Sequence, residues 1–156
     1  MAELTPSERL QPCLLDRLTD NEPGKTVESR EKRVFTTGQM RNAVLRDINW
    51  LLNTAQKLDP DLVAEAPAVA TSVLNFGVPD LCGVTSSGID LAALRRTLSA
   101  AIRAYEPRIR PGSLRVEIAV DEASMSGNAL TLEIRGDLWA QPAPEPMFFR
   151  TGIDLE

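Results

Sequence analysis

The sequence predicts an α+β fold in which N-terminal helices pack on a small C-terminal antiparallel β-sheet. Three observations carry that reading. Between Gly38 and Tyr105 the apolar residues recur at helical spacing. From Leu114 onward they alternate strictly with polar ones, a period of two. Such alternation marks strands with one solvated face, which implies antiparallel pairing and helices on the other face. Finally, 156 residues suit one domain that buries roughly two-thirds of its unfolded surface, so a core forms without disulfides or metal.

Residues 1–35 read as a charged, irregular segment with one short helix. Leu14, Leu15 and Leu18 have helical spacing after Pro12, and Asn21-Glu22-Pro23-Gly24 ends the helix with turn chemistry. Glu28 to Arg33 is a mixed-sign run, read as a solvated turn or linker. Residues 36–156 read as a single domain. Its clearest helix runs from Gly38 to about Gln56. Thr36 and Gln39 have capping-box spacing, and Met40, Val44, Ile48, Leu51, Leu52 and Ala55 form one stripe. Asp59-Pro60 is expected to stop it. Pro67 to Phe76 is expected to be a shorter helix, with Val69, Val73 and Phe76 on one side and Gly77 as C-terminal cap. After a loop over 77–88, a third helix is predicted from Ile89 to Tyr105. Ser87 and Asp90 make its capping box, and Leu91, Leu94, Leu98, Ala101, Ile102 and Tyr105 its stripe.

Leu114 to Asp121 places Leu114, Val116, Ile118 and Val120 on one face of a strand, with Arg115, Glu117 and Ala119 on the other. Leu130 to Trp139 repeats the pattern, and Gly127-Asn128 between them predicts a hairpin with a loose loop. Pro142, Pro144 and Pro146 read as an extended link, excluded from any central strand. Met147 to Leu155 is a predicted final strand, in which Phe149, Thr151, Ile153 and Leu155 alternate with Phe148, Arg150, Gly152 and Asp154.

Composition excludes several function classes. With no histidine, neither Ser-His-Asp nor Cys-His catalysis nor a histidine zinc site can be built. Cys13 and Cys82 are too few for a metal cluster or disulfide framework, and read as free thiols. A net charge of −5 argues against nucleic-acid binding. Glu3, Glu8 and Arg9 interrupt any signal-peptide stretch, and no spanning segment is present, so a cytoplasmic protein without direct membrane insertion is expected.

The most informative motif is Glu106-Pro107-Arg108-Ile109, where the last helix meets the first strand. Pro107 stiffens the corner and drives Glu106 out of helical geometry. Two opposite charges flanking a proline suit clamping a partner; spacing alone favours a local pair that ends the helix. This segment resembles the TssE family, together with Leu14-Leu15-Asp16-Arg17-Leu18, Val44 to Thr54, Val73 to Asp80 and Gly136 to Pro142, in the expected order along nearly the whole chain. TssE proteins are baseplate subunits of bacterial type VI secretion systems, related to a phage baseplate wedge protein once labelled a lysozyme. Lys57 to Pro67 and Asp121 to Ala129 match nothing in that family.

The resemblance implies a structural, non-enzymatic protein of the cytoplasmic baseplate attached to the inner membrane, with no cofactor. It implies docking on the TssF–TssG wedge through Glu106, Pro107 and Arg108, with TssK in the same baseplate, and a platform for the TssB/TssC sheath. The final strand, through Phe149, Thr151, Ile153 and Leu155, is the expected pairing site for a sheath arm. Two alternatives stand beside this. One is a lysozyme-like glycoside hydrolase with paired carboxylates, for which Glu106, Glu117 and Glu133 are available; only seven aromatics could line its cleft. The other is a generic adaptor domain of the same fold.

Overall fold

A computed structural model describes residues 10, 12–20, 22–25, 34–81, 88–120, 129–140 and 143–154. Its elements are helices α1 (Leu14–Leu18), α2 (Thr37–Leu52), α3 (Pro60–Glu65) and α4 (Leu91–Tyr105), then strands β1 (Arg115–Val120), β2 (Ala129–Leu138) and β3 (Glu145–Asp154). The α+β expectation holds. Expectations on Glu28 to Arg33, Cys82, Ser87, Gly127-Asn128, Pro142 and Leu155 lie outside the described residues.

Helix α2 starts with the anticipated capping box: Thr36 accepts from the Gln39 N–H, and the Gln39 side chain accepts from the Thr36 N–H. Its stripe of Met40, Val44, Ile48 and Leu51 is buried, as is Ala43. The helix ends at Leu52, earlier than the pattern suggested, because the chain then turns to make a parallel bridge. Ala55 pairs with Val78, the Val78 N–H donating to the Thr54 carbonyl and the Gln56 N–H to the Val78 carbonyl, both at 2.8 Å. Asp59-Pro60 does not stop α2, which has already ended at Leu52; it opens α3. Asp59 is its N-cap, accepting from the Asp61 N–H, and Pro60 is its first residue.

The expected helix over Pro67–Phe76 is instead two 3₁₀ turns, Pro67–Thr71 and Val73–Asn75. Ser72 breaks the run, its hydroxyl accepting from the Leu74 N–H as a cap. The tighter turn puts Val73 in solvent, 83% exposed, where a continuous helix was expected to bury it. Gly77 is not a helix cap. It sits at φ +132°, and a Cβ there would lie 2.3 Å from the Thr54 carbonyl oxygen, so the parallel bridge requires glycine. Helix α4 begins two residues later than predicted, with Asp90 itself as N-cap: its carboxylate accepts from the Ala92 and Ala93 N–H groups at 2.9 and 3.0 Å. Those bonds, that from Ala93 foremost, hold the Asp90 carboxyl below its ordinary range.

The strands form one antiparallel sheet of order β1-β2-β3. Val120 pairs with Leu130 at the hairpin end, and Leu138 with Glu145 at the other. Pro146 therefore belongs to β3 instead of the link before it, and its ring is tolerated because β3 is an edge strand. Leu130, Leu132, Ile134, Leu138, Val116 and Met147 point to one face and are buried with the stripes of α2 and α4. The other face carries Arg115, Glu117, Arg135, Phe148 and Arg150, all exposed. The arginines and glutamates do not pair between β1 and β2, because the register sets Arg115 against Arg135 and Glu117 against Glu133. Glu133 pairs instead with Arg135 of its own strand, at 2.8 Å, and with Arg150 of β3, at 3.8 Å.

Replacing Gly77 by alanine is expected to lower stability by about 2 kcal/mol or more, from backbone strain plus the clash. Gly152→Ala, with open space at its Cβ, should stay within about 0.5 kcal/mol of wild type. Urea unfolding of both variants checks this. Equal midpoints for the two would contradict the tight bridge.

Candidate functional site

The candidate site is the corner between α4 and β1. Glu106 is the C-cap of α4; its N–H still donates to the Ile102 carbonyl, but the proline that follows forces it to φ −123° and ψ 74°. The chain then runs antiparallel against the end of β2. Trp139 donates its N–H to the Arg108 carbonyl at 2.8 Å, Arg110 donates to the Asp137 carbonyl at 2.9 Å, and Ile109 pairs with Leu138. Gly136 lets this segment lie close, since a Cβ there would come within 2.8 Å of the Ile109 side chain.

That backbone path turns the Glu106 side chain inward, where it is 2% exposed. A buried carboxylate is tolerated only when paired and hydrogen-bonded. Here Oε1 accepts from the Arg108 N–H at 3.1 Å and from its Nε at 2.7 Å, while Oε2 accepts from Nη2. The same Nη2 reaches Asp47 on α2. Asp47 in turn accepts from Arg46 Nε at 2.8 Å, and Arg46 Nη1 donates to Asp16 of α1 at 2.5 Å. Cys13 donates its S–H to the other Asp16 oxygen at 2.8 Å, and the Arg46 guanidinium lies 5.0 Å from the Trp50 ring centre. Five charges thus join α1, α2 and the corner: Asp16, Arg46, Asp47, Arg108 and Glu106.

The electrostatics follow from this order. Burial opposes the Arg108 charge, yet the bonds and charges of Glu106 and Asp47 prevail and raise its pKa above the ordinary value. The hydrogen bond to Asp16 is the largest influence on Arg46, which is raised likewise. For Asp16 burial pulls upward, but the bonds from Arg46 and Cys13 and the charges of Arg46 and Arg108 together hold its carboxyl below the usual range.

Of the residues singled out in the sequence, Glu106 and Arg108 do meet, but as an internal pair, the glutamate buried and the arginine partly so, that also holds α2; Pro107 alone of the three is exposed. On β3, Phe149, Thr151 and Ile153 are half-buried on the helix-facing side. Among the described residues no strand pairs with the outer edge of β3. Thr151, Gly152 and Ile153 border a cleft of about 370 Å³ shared with Leu52, Asn53 and Pro79. Sequence reasoning assigned nothing to Asp16, Arg46 and Asp47. Their only local signal was a single aspartate among the leucines of α1 and an adjacent Arg-Asp pair on the polar side of α2.

The carboxylates considered for hydrolysis fall in two places. Glu106 is buried against Arg108, and Glu117 and Glu133 oppose each other on the open sheet face. Among the described residues no group of three metal-ligating side chains could hold an ion, and no helix is long and apolar enough to cross a membrane.

The sequence model of a family described as baseplate wedge protein gp25 matches residues 38–143. No curated protein matches the chain. Among solved structures, a crystal structure of a Geobacter sulfurreducens protein described as a tail lysozyme aligns at 17% identity and a TM-score of 0.47. That alignment covers 85% of this chain and 96% of the other.

The Asp16 shift has a pH consequence. A carboxyl depressed by folding contributes stability above its unfolded pKa and loses that contribution as pH falls through the folded value. The gap in urea midpoint between wild type and Asp16→Asn should therefore be full at pH 7 and shrink as pH drops below about 4. A gap unchanged at pH 3 would contradict the link between α1 and Arg46.

Proposed function

We propose a reading that proceeds from one premise: the chain belongs to the baseplate wedge protein gp25 family. It is a structural subunit that contacts other baseplate proteins of a phage-tail-like contractile machine. In this reading the machine is a bacterial type VI secretion system. The subunit docks on the TssF–TssG wedge through the Glu106-Pro107-Arg108 corner, beside TssK, in the cytoplasmic baseplate at the inner membrane. It then offers a starting platform to the TssB/TssC sheath.

The observation that supports this best is the corner itself. Its side chains are used up internally: Glu106 binds no solvent-facing group, and Arg108 spans to a second helix. A backbone hydrogen-bonded to the end of β2 at both Arg108 and Arg110, and locked by a proline, is stiff, and stiffness lowers the ordering cost of docking. A carboxylate so enclosed offers nothing to a glycosidic oxygen, which speaks for assembly over hydrolysis. The platform role draws on β3. An edge strand with no strand on its outer side among the described residues suits an added strand, whose main-chain hydrogen bonds ask little of side-chain identity. Phe149 and Ile153 pack against the core from the helix-facing side of that strand, with Thr151 half-buried between them; Leu155, the fourth residue of the sequence alternation, lies outside the described residues.

The test separates the two contacts. The purified chain should co-purify with TssF–TssG and leave peptidoglycan intact. Thr151→Pro, checked for an unchanged melting curve, should keep that wedge while fluorescent TssB/TssC sheaths disappear from cells. Failure to bind TssF–TssG, or peptidoglycan cleavage abolished by Glu106→Gln, would overturn the reading.

A further inference from the structure

The docking reading leaves open which groups a partner touches. Glu106 is beyond reach at 2% exposure. Arg108 has Nε and Nη2 committed to Glu106 and Asp47, and its Nη1 is itself buried. What the corner turns outward is different: Pro107, Arg110 and Pro111 are exposed, and Trp139 is 60% exposed. Together with Asp137 these four line one shallow hollow beside the buried pair.

We propose that this hollow is the docking contact, and that it receives an extended segment of the wedge partner carrying an apolar side chain next to a carboxylate. The proposal rests on the docking reading and supplies its contact residues. Three features argue for it. First, the walls are fixed before any partner arrives. Two prolines set their own φ, Trp139 and Arg110 are pinned by hydrogen bonds to Arg108 and Asp137, and the Ser113 hydroxyl accepts from the Asp137 N–H at 2.8 Å while donating to the Arg110 carbonyl at 2.9 Å. A pre-formed surface keeps most of its contact energy as affinity.

Second, a tryptophan exposed over most of its surface at such a rigid site is the residue type that dominates interface energetics, and proline rings beside it extend the apolar floor. Third, the exposed charge of the hollow is positive. Arg110 is exposed while Asp137, which also lines it, is half-buried, and the Arg110 guanidinium has no ion-pair partner among the described residues. A carboxylate on the incoming segment complements it, and its fork geometry favours that group. Glu106 and Arg108 then act as positioning residues: they hold the backbone from which Trp139 and Arg110 are displayed.

Binding of purified TssF–TssG from the same gene cluster to the full chain, read by biolayer interferometry, decides the matter. Trp139→Ala should weaken binding at least tenfold with an unchanged melting temperature, and Trp139→Phe should recover most of the loss. Arg110→Glu should weaken binding, with a smaller deficit at high salt, as expected of a charge contact. Wild-type binding that survives both Trp139→Ala and Arg110→Glu overturns this proposal while the docking reading stands. No binding by the wild-type chain overturns both.

Discussion

The bond between the buried Glu106 carboxylate and the Arg108 guanidinium, extended to Asp47, is the constraint on which the rest of the arrangement depends. Exchanging such a pair for well-packed apolar residues is often neutral, so net stability is a poor reason for its presence. Removing one partner is another matter, because it strands a charge in the interior at a cost of about 3–5 kcal/mol. What the pair supplies is position. One guanidinium fork ties the end of α4 to the middle of α2, 61 residues away in sequence, and the proline between Glu106 and Arg108 keeps the backbone there out of helical geometry.

The end of α4 is held from its other side as well. Tyr105 is the last residue of the helix, and its hydroxyl lies 2.9 Å from the carbonyl oxygens of both Ser72 and Asn75, donating its one proton to either. Burial pushes that hydroxyl's pKa up, so it remains a donor. Phe76 meets the Tyr105 ring edge-on at 5.2 Å between centroids. Two consecutive side chains therefore fix one helix end against the 3₁₀ turns on one hand and α2 on the other. The hydrophobic core beneath gives the sheet and helices their common layer; these polar contacts decide where the corner stands on it.

The periodic parts of the fold were legible in the sequence. Met40, Val44, Ile48 and Leu51 in α2, and the alternation of Val116 or Leu132 with charged neighbours, each follow from a single helix or strand period and a single buried face. The segment from Leu52 to Phe76 was not. There the parallel bridge of Ala55 to Val78, and the positive φ of Gly77 that packs it against Thr54, are settled by contacts between residues distant in sequence, while Asp59 and Ser72 cap short turns through their own neighbours; no apolar period encodes either. The register of β3 was hidden for a related reason: a run of prolines looks like a link until edge placement makes Pro146 acceptable. At the site, Glu106 and Arg108 could be found because a proline stands between them. Asp16, Arg46 and Asp47 could not, because their roles exist only after α1, α2 and α4 have packed.

Family membership and geometry converge on assembly: a chain of the baseplate wedge protein gp25 family, with a stiffened corner at one end of its sheet and an edge strand at the side. The corner is tied to α2 through the Arg108–Asp47 contact. The most direct measurement is a double-mutant cycle on Asp47→Ala and Arg108→Ala, read by urea unfolding at low ionic strength. A coupling of about 1.5 kcal/mol or more is expected if the two side chains act as one structural unit. Additive effects, within about 0.5 kcal/mol, would contradict the claim that this ion pair positions the corner.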